Sequence, residues 1–191
     1  MIQINASQRL LAETLDEYVQ RLEKQGISSL GKGGFAKVFQ HPTMPNVAVK
    51  LLVERDPGYE RYLQFCETKG KGNPYCPKIL QVVKADKIFD DPWDPNMVVV
   101  FMEKLAPISQ HEFNTFHQYV SYLADIPIAH DNNLCDARTW HLLGKQKDDV
   151  PLAKLAKALY VMYTSDQEDF DLHKANIMKR GQQLVITDPF S

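Results

Sequence analysis

Apolar positions recur along the chain with two periods, and the switches between them mark out its elements. From Ser7 to Lys24, the residues Leu10, Leu11, Leu15, Tyr18, Val19 and Leu22 fall at helical spacing. They predict an amphipathic packing helix, with Ser7 as N-cap and Gly26 as terminator. The pattern then changes. Between Ile27 and Leu52, glycines, alternating apolar residues and the bend His41-Pro-Thr-Met-Pro-Asn46 predict three short antiparallel strands. Tyr59 to Lys69 reads as a short helix with Tyr62, Leu63, Phe65 and Cys66 on its apolar side, stopped by Gly70-Lys-Gly-Asn-Pro74. Two β-branched runs follow, Ile79-Leu-Gln-Val-Val83 and Met97-Val-Val-Val-Phe101, separated by the turn-rich Asp90-Asp-Pro-Trp-Asp-Pro95. Both are expected to be strands.

Helical spacing returns after Met102-Glu-Lys-Leu105. Phe113, Phe116, Tyr119, Val120 and Leu123 predict a helix over Glu112 to Leu123. The stretch from Pro127 to Asp149 is polar and irregular, with Trp140 and Leu142-Leu143 as its anchors, and has no assigned element. Pro151, suited to a first helical turn, opens a helix through Tyr160 with one apolar face of leucines and alanines. Gly181 turns the chain into a last strand, Leu184 to Ile186. A small antiparallel sheet with a helix, followed by a mostly helical part, makes the class α+β.

Composition narrows the function more than the fold. Hydrophobic residues at 44% and charged residues at 24% of 191 are ordinary for a globular protein. A net charge of -2 gives no electrostatic reason for direct nucleic-acid binding or for an anionic membrane as partner. Met1-Ile-Gln-Ile-Asn5 runs into polar and acidic residues, so neither a signal peptide nor a membrane span is expected, and the cytoplasm is the expected location. The cysteines Cys66, Cys76 and Cys135 form no CxxC spacing, and their odd number suits a reducing compartment. Cys66 and Cys76 with histidines as a zinc site match none of the usual ligand spacings, which favours plain thiols.

Candidate chemistry concentrates in a few short segments. Near the end stand Asp171-Leu-His-Lys-Ala-Asn176 and Ile186-Thr-Asp188-Pro-Phe-Ser191, on either side of an apolar run. Asp171 would accept or orient the proton of an incoming hydroxyl, while Asn176 and Asp188 offer the oxygen ligands that Mg2+ favours. A surface turn rich in Asp and Asn explains either segment alone, but not both in this order. His173 and Lys174 lie beside the base, where one would neutralise charge on a transferring phosphoryl group. The other reading confines His173 to packing or hydrogen bonding within its loop.

Upstream, Gly31-Lys32-Gly33-Gly34-Phe35-Ala36 would let a hairpin tip bring backbone N–H groups close to phosphates, although a plain glycine-rich turn has the same composition. Alternation in Val47-Ala-Val-Lys50 places Ala48 and Lys50 on one side, beneath that hairpin, where the ammonium would pair with α- and β-phosphates rather than with solvent. Glu60, and after it Glu67, is the nearest helical carboxylate to orient Lys50. The order of these segments resembles protein kinases: glycine loop, lysine strand, catalytic loop, metal loop. In that pattern ATP lies between two lobes, and Met102, Glu103 and Leu105 occupy the hinge. Lys32, Phe35, Val38 and Ala48 join the glycines as nucleotide contacts.

More narrowly, Gly31-Lys-Gly-Gly-Phe35, the bend before the lysine strand, Phe65-Cys66, Phe170-Asp-Leu-His-Lys-Ala-Asn-Ile-Met178 and Ile186-Thr-Asp-Pro189 resemble the serine/threonine protein kinase of short-tailed, T-seven-like coliphages. The resemblance implies a protein-kinase-like two-lobed fold with an antiparallel N-lobe and a truncated, mostly helical C-lobe. It implies a phage-encoded, ATP- and Mg2+-dependent enzyme that phosphorylates host proteins and itself in the host cytoplasm. A separate region for shutting off host transcription would lie downstream, outside these residues. The expected division is a packing helix over 1–26, an N-lobe over 27–104 and a C-lobe over 105–191. Departures are also visible. Asp169-Phe170 stands where protein kinases have His-Arg, Pro189-Phe190 replaces Phe-Gly, and no activation segment or Ala-Pro-Glu element lies within the 191 residues. Asp-Leu-His also occurs in aminoglycoside- and choline-type kinases. A small-molecule phosphotransferase and a nucleotide-binding pseudokinase acting as an interaction module are therefore the alternatives.

Overall fold

In the computed structural model, which describes residues 20, 24, 26–32, 36–52, 56–86, 96–126, 133–146, 150–166 and 169–190, contacts group the chain into two units. The first combines Met1–Asp56 with Ile79–Lys104, and the second combines Pro57–Lys78 with Leu105–Ser191. Pro57–Lys78 therefore groups with the later unit, whereas the sequence pattern has it inside 27–104. Nearly all of the expected Ser7–Lys24 helix, the turn Asp90–Pro95 and residues 127–132 and 147–149 lie outside the described residues.

The first unit is a sheet of antiparallel strands: β1 (Ser29–Lys32), β2 (Ala36–Gln40), β3 (Val47–Leu52), β4 (Ile79–Asp86) and β5 (Asn96–Glu103), in the order β1-β2-β3-β5-β4. The bend between β2 and β3 is closed by His41 N–H to Val47 O at 2.9 Å. The His41 ring caps it, its Nδ1 accepting the backbone N–H groups of Thr43 at 3.2 Å and Met44 at 3.1 Å. Opposite residues share a face, so register decides what meets what. Phe39 faces Val49, which faces Phe101, and with Leu51, Val99, Ile27 and Val83 they form one packed cluster. The other face carries Val38, Ala48, Lys50, Leu52, Val98, Val100 and Met102, and only Val38 of these is not buried. Burial on both faces explains why Val47-Ala-Val-Lys-Leu-Leu52 reads as almost continuously apolar.

The second unit is mostly helical. It holds α1 (Pro57–Glu67), α2 (Gln110–Leu123), α3 (Ala137–Gly144) and α4 (Pro151–Asp166), with a small sheet β6-β7-β8 made by Ala106–Pro107, Ile177–Arg180 and Gln183–Ile186. Helix α4 is its centre, burying Leu152, Ala153, Leu155, Ala156 and Leu159 against α1 and α3. Each such leucine contributes about 1.5–3 kcal/mol. Gly144 ends α3 where a Cβ would stand 2.9 Å from Lys157 Cα, so the two helices cross too closely there for any larger residue. Helix α2 starts with a capping box between Ser109 and Glu112, and Glu112 Oε1 also takes Lys179 Nζ of β7 at 2.7 Å. Several elements depart from the sequence pattern. Helix α3 and the 3-10 turn Asn133–Cys135 fill part of the unassigned 127–149 stretch, β6 forms at Ala106–Pro107, and β7 follows directly on Asn176. Among the described residues, no helix is long and apolar enough to cross a membrane.

Candidate functional site

In the second unit, the two segments around Asp171 and Asp188 are held by aromatic packing and by a knot of backbone hydrogen bonds. Phe170 is buried, its ring 5.1 Å from Tyr163, 6.0 Å from Trp140 and 5.4 Å from Phe190. Trp140 is in turn pinned by its indole N–H to Leu134 O at 2.6 Å. Phe170 and Phe190 form an isolated antiparallel bridge, and the next residue, Asp171, donates its N–H to Pro189 O at 2.9 Å. These contacts fix where Asp171 leaves the core.

Asn176 closes the loop onto Asp171. Its Nδ2 donates to Asp171 O at 2.7 Å and to Asp171 Oδ2 at 3.1 Å. The other carboxylate oxygen, Oδ1, lies 3.2 Å from His173 Nδ1, which is also 3.2 Å from Asp171 O. His173 is thus engaged inside its own loop, and Lys174 is exposed at the start of the 3-10 turn Lys174–Asn176. Thr187 ties in the second segment, giving its N–H at 2.8 Å and its hydroxyl at 3.0 Å to Asn176 O. Asp171, Asn176 and Asp188 are therefore joined through consecutive hydrogen-bonded residues. With Nδ2 committed to Asp171, the Asn176 amide turns its carbonyl oxygen to the opposite side. A neutral amide oxygen from Asn176 and a half-buried carboxylate from Asp188 are the donor chemistry that Mg2+ favours. Among the described residues, no group of three or more His, Cys, Asp and Glu side chains is gathered for a metal.

Residues outside the sequence motifs also set this geometry. The buried Tyr62 of α1 donates its hydroxyl to Ile186 O at 2.7 Å, and Ile186 N–H donates to Tyr75 O at 2.9 Å. Cys66 and Cys76 are reduced and buried beside Tyr62. A hydrogen bond between the two thiols pushes Cys66 up and lowers Cys76. Thr187 and Tyr62 carry no motif; sequence shows Tyr62 only as one more residue on an apolar helix face.

In the first unit, register gathers part of the expected nucleotide set. Lys50 stands opposite Val38 on one side and Val100 on the other, and Ala48 stands opposite Met102. Val38, Ala48, Lys50 and Met102 thus share a face, where Lys50 is 7% exposed. Gly31 pairs with Val38 in β1, while Gly33, Gly34, Phe35 and the side chain of Lys32 lie outside the described residues. Glu103 ends β5 opposite Val47. Glu60 and Leu105 belong to the second unit.

Comparison with known proteins gives one family. The profile described as Bacteriophage T7 protein kinase 0.7 matches residues 7–191. No curated protein sequence matches. Similar solved structures include a thermostable mutant of aminoglycoside phosphotransferase APH(4)-Ia in its apo form, at TM-score 0.43 and 13% identity, covering 88% of this chain and 69% of that one. The D198A form of that mutant in a ternary complex with ADP and hygromycin B also scores 0.43 at 13% identity, over 89% and 69% of the two chains. The streptomycin-ATP-APH(2")-IIa ternary complex scores 0.35 at 10% identity, over 95% and 73%.

Proposed function

The chain belongs to the Bacteriophage T7 protein kinase 0.7 family, and from that premise we propose that it is an ATP- and Mg2+-dependent serine/threonine protein kinase acting on host proteins and on itself in the host cytoplasm. The observation that carries this reading is the linkage of Asp171, Asn176 and Asp188 through Asp171 N–H to Pro189 O, Asn176 Nδ2 to Asp171 and Thr187 to Asn176 O. In this reading Asp171 accepts the proton of the acceptor hydroxyl as the hydroxyl oxygen attacks the γ-phosphorus, the bond from that phosphorus to the β–γ bridging oxygen breaks, and ADP leaves. Asn176 holds the carboxylate through Oδ2, leaving its other oxygen facing His173. Asn176 and Asp188 would hold magnesium, which supplies positive charge to the phosphate oxygens. Lys50, Gly31, Gly33 and Gly34 take the phosphates, and Val38, Ala48 and Met102 offer an apolar face to the base.

Incubation with γ-labelled ATP, a bacterial extract and a panel of aminoglycosides tests the acceptor class. Label on serine or threonine of proteins supports the proposal. Label confined to a soluble small molecule would replace it with small-molecule phosphotransfer. ATP binding without any transfer would make the chain a pseudokinase.

A further inference from the structure

The two residues before Asp188 are gripped from opposite sides. Thr187 is bound to Asn176 O, and on the other side Ile186 gives its N–H to Tyr75 O at 2.9 Å and receives the Tyr62 hydroxyl at 2.7 Å. Tyr62 is the side-chain part of this outer grip, reaching from a helix 124 residues away in sequence. We propose that Tyr62 is a positioning residue for Asp188, acting through the Ile186 carbonyl to fix where the carboxylate meets its cation. The inference rests on the reading of Asp188 as a metal ligand.

Physical chemistry favours this assignment over simple packing. A strand end next to a loop would ordinarily leave its outer carbonyl to water, and here a fully buried phenol takes it instead. Burial pushes the Tyr62 hydroxyl well above its usual range, with the thiols of Cys66 and Cys76 adding to the effect. The phenol therefore keeps its proton and remains a donor. Helix α1 itself is braced on α4, the centre of the unit's core, so the hydroxyl is delivered from a rigid element. Groups that orient metal ligands from behind typically matter about 10- to 100-fold in metal affinity.

The test is Tyr62→Phe, which keeps the ring and removes the donor. Hydrogen exchange in the peptide 183–190 should accelerate. The Mg2+ concentration for half-maximal phosphotransfer should rise about 10- to 100-fold, with a much smaller fall in kcat at saturating Mg2+. Unchanged exchange there would overturn the proposal, as would a lower Tm with unaltered Mg2+ dependence. If Tyr62→Phe does not fold, 4-aminophenylalanine at position 62 keeps a weaker donor in the same place. Both readouts must then rise by less, and no change in either overturns the proposal. A wild-type chain without Mg2+-dependent transfer defeats the metal reading itself, while the exchange arm still decides whether Tyr62 holds the segment.

Discussion

Lys50 and Asp171 are located by different devices. Lys50 sits in the middle of a sheet, where Val38 and Val100 flank it and the repeating ladder fixes its face. Asp171 sits in a loop, and its position depends on one backbone bond to Pro189, on the Asn176 amide and on the rings stacked around Phe170. A ladder is redundant, so loss of one contact leaves register intact. A knotted loop has no such reserve, and disturbance at one point reaches the carboxylate.

The largest expected effect separates chemistry from position. Asp171→Asn should cut phosphotransfer by about 10²–10⁴-fold while the thermal midpoint hardly moves, because an amide preserves the shape of the loop. Phe170→Ala attacks the knot from beneath. It should cost about 3–5 kcal/mol of stability in a denaturant titration and lower activity even where the protein is folded. Lys50→Met, by contrast, should lower activity about 10²-fold or more at a smaller cost in stability than Phe170→Ala, since the ladder on both sides of β3 keeps its register. Equal destabilisation by the Phe170 and Lys50 changes would erase the distinction.

The smallest effect concerns acid. The hydrogen bond from Lys179, with those from Ser109, holds the Glu112 carboxyl down at about 2 from an ordinary 4.5. A depressed carboxyl stabilises the fold above its unfolded value, and that contribution disappears as pH falls from about 4.5 toward 2. Glu112→Gln should flatten the fall of Tm over that window and leave the profile above pH 5 parallel to wild type. An unchanged acid limb in the variant would show that the pair with Lys179 contributes nothing there.

What sequence made legible follows the same contrast. The period-two pattern of β3 put Ala48 and Lys50 on one face, and register bears that out because alternation is a local property. The spacing of Asp171, Asn176 and Asp188 pointed to one cluster; in the loop Asn176 bonds Asp171 and also takes Thr187, the residue before Asp188. The clamp on Ile186 was invisible, since a tyrosine donating to a carbonyl 124 residues away leaves no trace in spacing. Helix α3 was missed because Ala137–Gly144 is short and its burial depends on Trp140 and Leu143 meeting α4. The grouping of α1 with the second unit was likewise hidden, being set by contacts with α4 rather than by its neighbours in sequence.

Intact mass after incubation with Mg-ATP, for the wild-type chain and for Asp188→Ala, tests most directly whether Asp171, Asn176 and Asp188 make a phosphoryl-transfer site. Wild type should gain the mass of one or more phosphoryl groups, and the variant none at the same protein and Mg2+ concentrations. An equal gain by Asp188→Ala, or no gain by either, would contradict the account.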